Sequence, residues 1–246
     1  MLTILINLDA AIERRRRMEA RLAAVGITPS RIGVDLREAA TGDVQRWFAS
    51  NAPNLRLVPQ SICSAEAGCW ASHVLAWRRL LESDERICTV LEDDLVLAPG
   101  FRQAITAVER GTQDFDLLYL GTSSRNISSR RRTRIGDVWA HEPLGVIFNT
   151  WGYVVSRAYA ERFFAAPSIR IDMPVDHFLG GRAKVAKPRI AVLRPPVVAE
   201  DPAAGLASQI QPYATRMDRH PWWMALRRAI LASRVSDLYY SLYRWL

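Results

Sequence analysis

Three adjacent acids, Glu92, Asp93 and Asp94, interrupt an otherwise apolar stretch that runs from Ile87 to Leu97. Ala98-Pro99-Gly100 closes it. A run rich in β-branched residues and ended by Pro-Gly predicts a buried strand. Desolvating even one unpaired carboxylate is costly, so three of them cannot be ordinary core. They belong at a strand's end, facing a cavity or a cation. Clustered carboxylate oxygens suit a hard divalent ion, manganese or magnesium, which keeps open positions for phosphate oxygens. The competing reading is a strand-to-turn junction with solvated acids, because acids are common in turns.

The elements that must position these acids can be read around them. Leu2 to Leu8 reads as a buried strand, with Asp9 placed to cap the helix that follows. Met18, Leu22 and Val25 have helical spacing, and Gly26 ends that helix. Arg31 to Asp35 reads as a second strand ending in an acid, where nucleotide-binding folds often hold a ribose hydroxyl. This βαβ opening favours a parallel sheet with helices on both faces. Ser64 is placed to cap a helix in which Ala67, Trp70, Val74 and Trp77 share one face. Glu66 and His73 lie two turns apart on a common face and offer a polar edge to a ligand. The alternative is a capping acid and a hydrogen-bonded core histidine. Further strands are expected at 115–121, 150–155 and 190–197, with helices at 101–108 and 158–166. Asp176 opens a short helical turn after Pro174.

Composition sets outer limits. A chain of 246 residues is long enough for one large domain or two small ones. Its net charge of +8 comes almost wholly from arginine, since Lys184 and Lys187 are the only lysines. That charge attracts anions: nucleotides, phosphorylated glycolipid, nucleic acid or a membrane surface. Cys63, Cys69 and Cys88 are scattered and odd in number, so a reducing, cytoplasmic setting is the simplest expectation. The N-terminus lacks the basic start of a signal peptide, and no uncharged apolar run is long enough to span a membrane. No GxGxxG or P-loop is present. The serine- and arginine-rich stretch 122–136 reads as a mobile basic surface loop. From Pro221 onward, tryptophan, tyrosine and leucine alternate with arginine. That pattern suits a helix lying on the inner face of an anionic membrane, or a helix packed on the core.

Several patches together resemble glycosyltransferase family 25, the bacterial lipopolysaccharide and lipooligosaccharide sugar transferases, related to the collagen galactosyltransferase domains. They are Ile6-Asn7-Leu8-Asp9 with Glu13-Arg14, Arg31 to Asp35, Glu66-x-Gly68-Cys69-x-x-Ser72-His73, Leu91 to Asp94, Leu120-Gly121, Thr150-x-x-Tyr153 and Pro174-Val175-Asp176. Ala10, Leu36 and Ala65 depart from residues common in that family. The resemblance covers about residues 2 to 210. It implies an α/β, GT-A-like single domain over 1–215, with a nucleotide-binding, mostly parallel sheet flanked by helices and a C-terminal helical tail over 216–246. It implies inverting, metal-dependent transfer, usually from UDP-galactose, to a glycan or glycolipid hydroxyl. Donor contacts would fall on Asn7, Leu8, Arg14, Asp35, His73, Glu92, Asp93 and Thr150.

A nucleoside diphosphate leaving group requires charge neutralisation, so Mn2+ or Mg2+ is expected on Asp94, with Glu92 or Asp93 second. Alternation along a strand would point Glu92 and Asp94 the same way. Inversion needs a carboxylate base beside the acceptor hydroxyl, for which Asp176 leads, followed by Glu66 and Asp172. Arginines of the basic loop could close over the diphosphate as a lid. Two other classes compete: a metal-dependent phosphohydrolase using the same acids, and a basic nucleic-acid-binding protein. The second is disfavoured, because no recognition motif is present and the arginines are spread along the chain.

Overall fold

The computed structural model describes residues 1–111, 115–124 and 127–204. The first half of the chain contains β1 (Leu2–Ile6), α1 (Ile12–Ala24), β2 (Ser30–Ile32), α2 (Thr41–Asn51), β3 (Leu55–Leu57), α3 (Ser64–Leu81), β4 (Ile87–Glu92) and β5 (Leu95–Leu97). There follow α4 (Phe101–Arg110), β6 (Leu117–Tyr119), β7 (Ile127–Ile135), β8 (Val138–Pro143), β9 (Gly152–Ser156) and α5 (Arg157–Ala165). The chain continues with β10 (Ile169–Ile171), α6 (Val175–His177), β11 (Ile190–Arg194) and β12 (Val198–Glu200). The C-terminal helix expected over 216–246 lies outside the described residues.

Eight strands form one sheet in the order β2-β1-β4-β9-β6-β11-β8-β7. β1 runs parallel to β2 and β4, and β6 parallel to β11. β9 is antiparallel to both β4 and β6, and β8 to both β11 and β7. The α/β sheet flanked by helices is the architecture the sequence implies. Its parallel βαβ opening sits at one edge, and the rest of the sheet is mixed.

The sheet is covered on both faces, and alternation divides its side chains between them. Ile4, Val90, Tyr153 and Val155 face one core with Phe48, Trp70, Trp77 and Phe163 from α2, α3 and α5. Leu5, Leu91 and Val154 face the other with Met18 and Leu22 of α1 and Phe101, Ile105 and Val108 of α4. Burial on both faces explains why β4 is apolar on both sides up to Leu91, with Thr89 the one polar residue in that run.

Four local expectations change. The stretch from Ile87 to Leu97 is not one strand: the chain turns at Asp93-Asp94, and β5 leaves the sheet to pair with β12. Asp9 does not cap α1; Ala11 holds that position, and Asp9 pairs with Arg31 at 2.6 Å. Ser64 does not cap α3; the residue before the helix is Cys63, whose N–H is taken by Glu66 at 2.7 Å. From Ile127 on the basic stretch is not a loop, because β7 and β8 form a hairpin through Gly136-Asp137. Gly136 has φ of +57°, which the two-residue turn requires and a side chain would resist. Arg132 lies over the Trp139 ring at 4.2 Å, and Arg131 pairs with Glu142 at 3.1 Å. Arginines on this outermost strand discourage further strand addition.

Asp116 ties the middle of the sheet together and carries no signal in the sequence. It is fully buried. Its Oδ2 accepts the Arg189 N–H at 2.7 Å and Arg162 Nη2 at 2.8 Å, and its carbonyl accepts the Ser156 N–H. Burial opposes the charge, but the Arg162 and Arg189 donors outweigh it and hold the carboxyl below its ordinary value. A depressed pKa contributes stability above the ordinary carboxylate range and loses it as pH falls through the folded value. Asp116→Ala is expected to lower stability at neutral pH by about 1–3 kcal/mol, since the Arg189 N–H loses its partner while both guanidinium groups can still reach water. Urea unfolding checks this. Unchanged midpoints at pH 7, or a gap that fails to shrink in acid, contradict the assignment.

Candidate active site

A cleft of about 470 Å³ opens at the carboxyl ends of β1, β2 and β4. This is the edge at which open α/β sheets bind ligands. Asn7 and Leu8 reach it from the end of β1, Val34 and Asp35 from the loop after β2, and Glu92, Asp93 and Asp94 from the end of β4. Glu66 and Cys69 come from the first turns of α3, Thr150 and Trp151 from the approach to β9, and Asp176 from α6. Gly68 lets α3 sit close: a Cβ there would lie 2.8 Å from the Val34 carbonyl oxygen.

The acids are held by few partners. Asn7 Nδ2 donates to Asp93 Oδ2 at 2.7 Å and to the Ala11 carbonyl at 3.1 Å. Arg14 Nη1 stands 3.3 Å from Asp93 Oδ1 and 4.0 Å from Asp94 Oδ2. Asp94 Oδ1 is buried with no hydrogen-bond partner among the described residues. Thr150 Oγ1 donates to Glu92 Oε1 at 2.5 Å. Burial, reinforced by the charge of Asp94 and opposed by the Thr150 hydrogen bond, pushes the Glu92 carboxyl up to about 8. Burial also raises Asp93 against Asn7 and Arg14, and raises Asp94 against Arg14. One guanidinium does not balance this cluster, so the cleft favours an added cation.

The donor set fits a cation held in part by protein. Among the described residues, no three His, Cys, Asp or Glu side chains converge to form a cage. Asp94 offers an unengaged buried oxygen, while both Asp93 oxygens and one Glu92 oxygen are already engaged. Magnesium-like ions are commonly held by one or two carboxylates, with substrate phosphates and water completing the shell. Asp94 lies in a turn, so strand alternation does not relate it to Glu92, yet both line the cleft.

The raised Glu92 pKa has a testable sign. The folded protein holds this proton more tightly than the unfolded chain, so ionising Glu92 weakens the cation-free fold as pH rises from about 4.5 to about 8. Glu92→Gln removes that effect and can still accept from Thr150. Its melting temperature in chelator should match wild type in acid and exceed it increasingly up to about pH 8. A pH-independent difference would contradict the burial of this charge.

The remaining sequence candidates separate. Glu66 lines the cleft; one oxygen takes the Cys63 N–H, and the other, Oε1, is buried with no partner among the described residues. Asp176 also lines the cleft. Pro174 occupies the capping position of α6, so Asp176 is inside the turn, with Oδ1 accepting the His177 N–H at 2.8 Å. Asp35 reaches the cleft as an ion pair with Arg37, which holds its carboxyl below the ordinary value. Asp172 does not line the cleft and sits 3.6 Å from Arg170, so its candidacy as a base lapses.

His73 is not in the cleft wall either. It is fully buried, with Nδ1 2.7 Å from the Tyr153 hydroxyl and Nε2 3.8 Å from Glu92 Oε1. Burial lowers its pKa to about 3, so the ring is neutral. The direct donor contact expected of it gives way to a place behind Glu92. The arginines of β7 lie at the far edge of the sheet and none of them lines the cleft, so they form no lid over it here; Arg125 lies outside the described residues. Cys69, Trp151 and Glu200 do line it and were not singled out from the sequence as ligand contacts. Glu200 ends a three-residue strand, too short to leave a periodic signal.

Residues 1–179 match the model of glycosyltransferase family 25, described as an LPS biosynthesis protein family. A glycosyltransferase 25 family member of Drosophila pseudoobscura pseudoobscura is 28% identical over 187 residues, spanning 71% of this chain and 29% of that protein. Human procollagen galactosyltransferase 2 is 24% identical over 187 residues, with the same shares of 71% and 29%. The chain thus spans less than a third of the length of these relatives. Among solved structures, mannose-1-phosphate geranyltransferase from Thermus thermophilus aligns with a TM-score of 0.31 and 15% identity, covering 78% of this chain and 72% of that one. At that score the likeness carries no argument. The family match takes in β1, β2, β4 and α6, the elements from which the acids of the cleft project, and on it the chain belongs to glycosyltransferase family 25.

Proposed function

We propose that the protein transfers a hexose, galactose from UDP-galactose, to a hydroxyl of a glycan or glycolipid acceptor such as lipopolysaccharide, with inversion and with the help of Mn2+ or Mg2+. One observation carries the reading: a cluster of acids, undercompensated in charge, at the carboxyl end of a nucleotide-type sheet, around a cleft of about 470 Å³. Membership of family 25 supports transfer, and relatives named procollagen galactosyltransferase support galactose.

A divalent ion, when bound, neutralises the diphosphate leaving group. The protein's own groups do the rest. Asp94 is the leading ligand because its Oδ1 is unengaged, and Glu92 or Asp93 is second. Asn7 and Arg14 fix Asp93, and Thr150 fixes Glu92, so the acids meet the donor already oriented. Asp35 is placed at the β2 edge to take a ribose hydroxyl. Asp176, carried by α6 and so separate from the acids that take the metal, removes the acceptor proton as the sugar carbon is attacked from the opposite side.

Incubation with UDP-galactose and Mn2+, with and without a lipooligosaccharide acceptor, separates transfer from hydrolysis. Sugar should pass to the acceptor, with little free galactose in its absence. Free galactose released at the same rate in both tubes would make the protein a phosphohydrolase of nucleotide-sugars.

A further inference from the structure

Behind the cleft lies a buried polar chain that the transfer mechanism above does not use. Trp77 Nε1 is 3.0 Å from the Tyr153 hydroxyl, and that hydroxyl is 2.7 Å from His73 Nδ1. His73 Nε2 then faces Glu92 Oε1 at 3.8 Å and has no other partner among the described residues. Trp77, His73 and Tyr153 are all fully buried.

The direction of this chain follows from what each group can do. An indole N–H only donates, so the Tyr153 oxygen accepts from Trp77. The Tyr153 proton then needs an acceptor, and its other recorded partner is His73 Nδ1. Accepting there, Nδ1 carries no proton, and a neutral imidazole must carry it on Nε2. That N–H is on the nitrogen that lies 3.8 Å from Oε1 of the Glu92 carboxyl group. The opposite tautomer would strand the Tyr153 proton in the core.

We propose that His73 is a positioning residue for Glu92, locked by Trp77 and Tyr153 in the Nε2–H tautomer and presenting that N–H to the back of the carboxylate. Thr150 holds Glu92 Oε1 from one side, and the His73 Nε2–H stands behind the same oxygen at 3.8 Å, a gap that a shift of roughly 0.8 Å closes to a hydrogen bond. A carboxylate held by two donors keeps one direction for the donor-bound cation, the role that outer-shell partners have in ligand sites. The part of this inference that concerns UDP and the cation rests on the proposed function; the tautomer does not.

Nitrogen-15 NMR of labelled protein in chelator tests the tautomer, with His73→Gln identifying the resonance. The expected spectrum shows His73 Nδ1 unprotonated and Nε2 protonated from neutral to mildly acidic pH. Tyr153→Phe should release the lock and give exchange between tautomers. A protonated Nδ1 in wild type, or an unaltered tautomer in Tyr153→Phe, would overturn the proposal. UDP titration in Mn2+ tests the positioning. His73→Gln, whose amide can replace the Nε2–H, should keep more affinity than His73→Leu, which should lose about 10–100-fold. Equal affinity of both variants with wild type would leave His73 as packing alone. If wild type shows the Nε2–H form but binds no UDP, the tautomer stands and the transferase reading falls.

Discussion

Asp94→Asn is expected to reduce sugar transfer about 10²–10³-fold, the scale on which losing one electrostatic contact to a developing charge acts. The reason is the unengaged Oδ1 of Asp94, the only buried carboxylate oxygen of the 92–94 triplet among the described residues without a partner. Asparagine keeps the shape of the turn but removes the charge that would hold a cation beside the diphosphate. The fold should survive, because Asp94 has no ion pair closer than the 4.0 Å approach of Arg14. A raised carboxyl pKa also means that its charge is a burden to the cation-free protein. The measurements are turnover in Mn2+ and melting temperature in chelator. Turnover near wild type would move the ligand role to Glu92 or Asp93.

Asp176→Asn is expected to lower turnover about 10²–10⁴-fold while UDP affinity and melting temperature stay close to wild type. The structure narrows its alternatives. It is not the cap of α6, a position held by Pro174, so the loss cannot be ascribed to a missing cap. Asparagine can still accept the His177 N–H through its side-chain oxygen, as Asp176 does at 2.8 Å, but it cannot take the acceptor's proton. Glu66→Gln is the control. Glutamine can still accept the Cys63 N–H, and Glu66 Oε1, like Asp94 Oδ1, is a buried carboxylate oxygen of the cleft wall without a partner among the described residues. If Asp176→Asn turns over normally and Glu66→Gln does not, Glu66 is the base.

The sheet was legible where burial on both faces leaves an apolar run, as in β1 and β4, and where a helix buries one stripe, as in α1. The acids could be read as a site because core cannot hold them. What escaped reading is instructive in physical terms. The break after Glu92 is invisible in hydropathy, since Leu95 to Leu97 is as apolar as the strand before it; only pairing with β12 shows that it has left the sheet. The arginine stretch looked like solvated loop because an edge strand exposed along most of its length has no buried face to mark its period. His73 looked like a ligand contact because spacing gives its helix face but not its depth: α3 is buried almost all round. Asp116 gave no sign at all, as its partners Arg162 and Arg189 are brought to it only by the fold.

Calorimetric titration of UDP into wild type and Asp94→Asn, each in Mn2+ and in chelator, tests the central claim most directly. It needs neither the acceptor nor the identity of the sugar. The expected result is saturable, one-to-one binding to wild type in Mn2+, strongly weakened by chelator and by the substitution. Wild type that binds no UDP in Mn2+, or Asp94→Asn that binds it as tightly as wild type, would contradict a nucleotide-sugar site built on the acids at the end of β4.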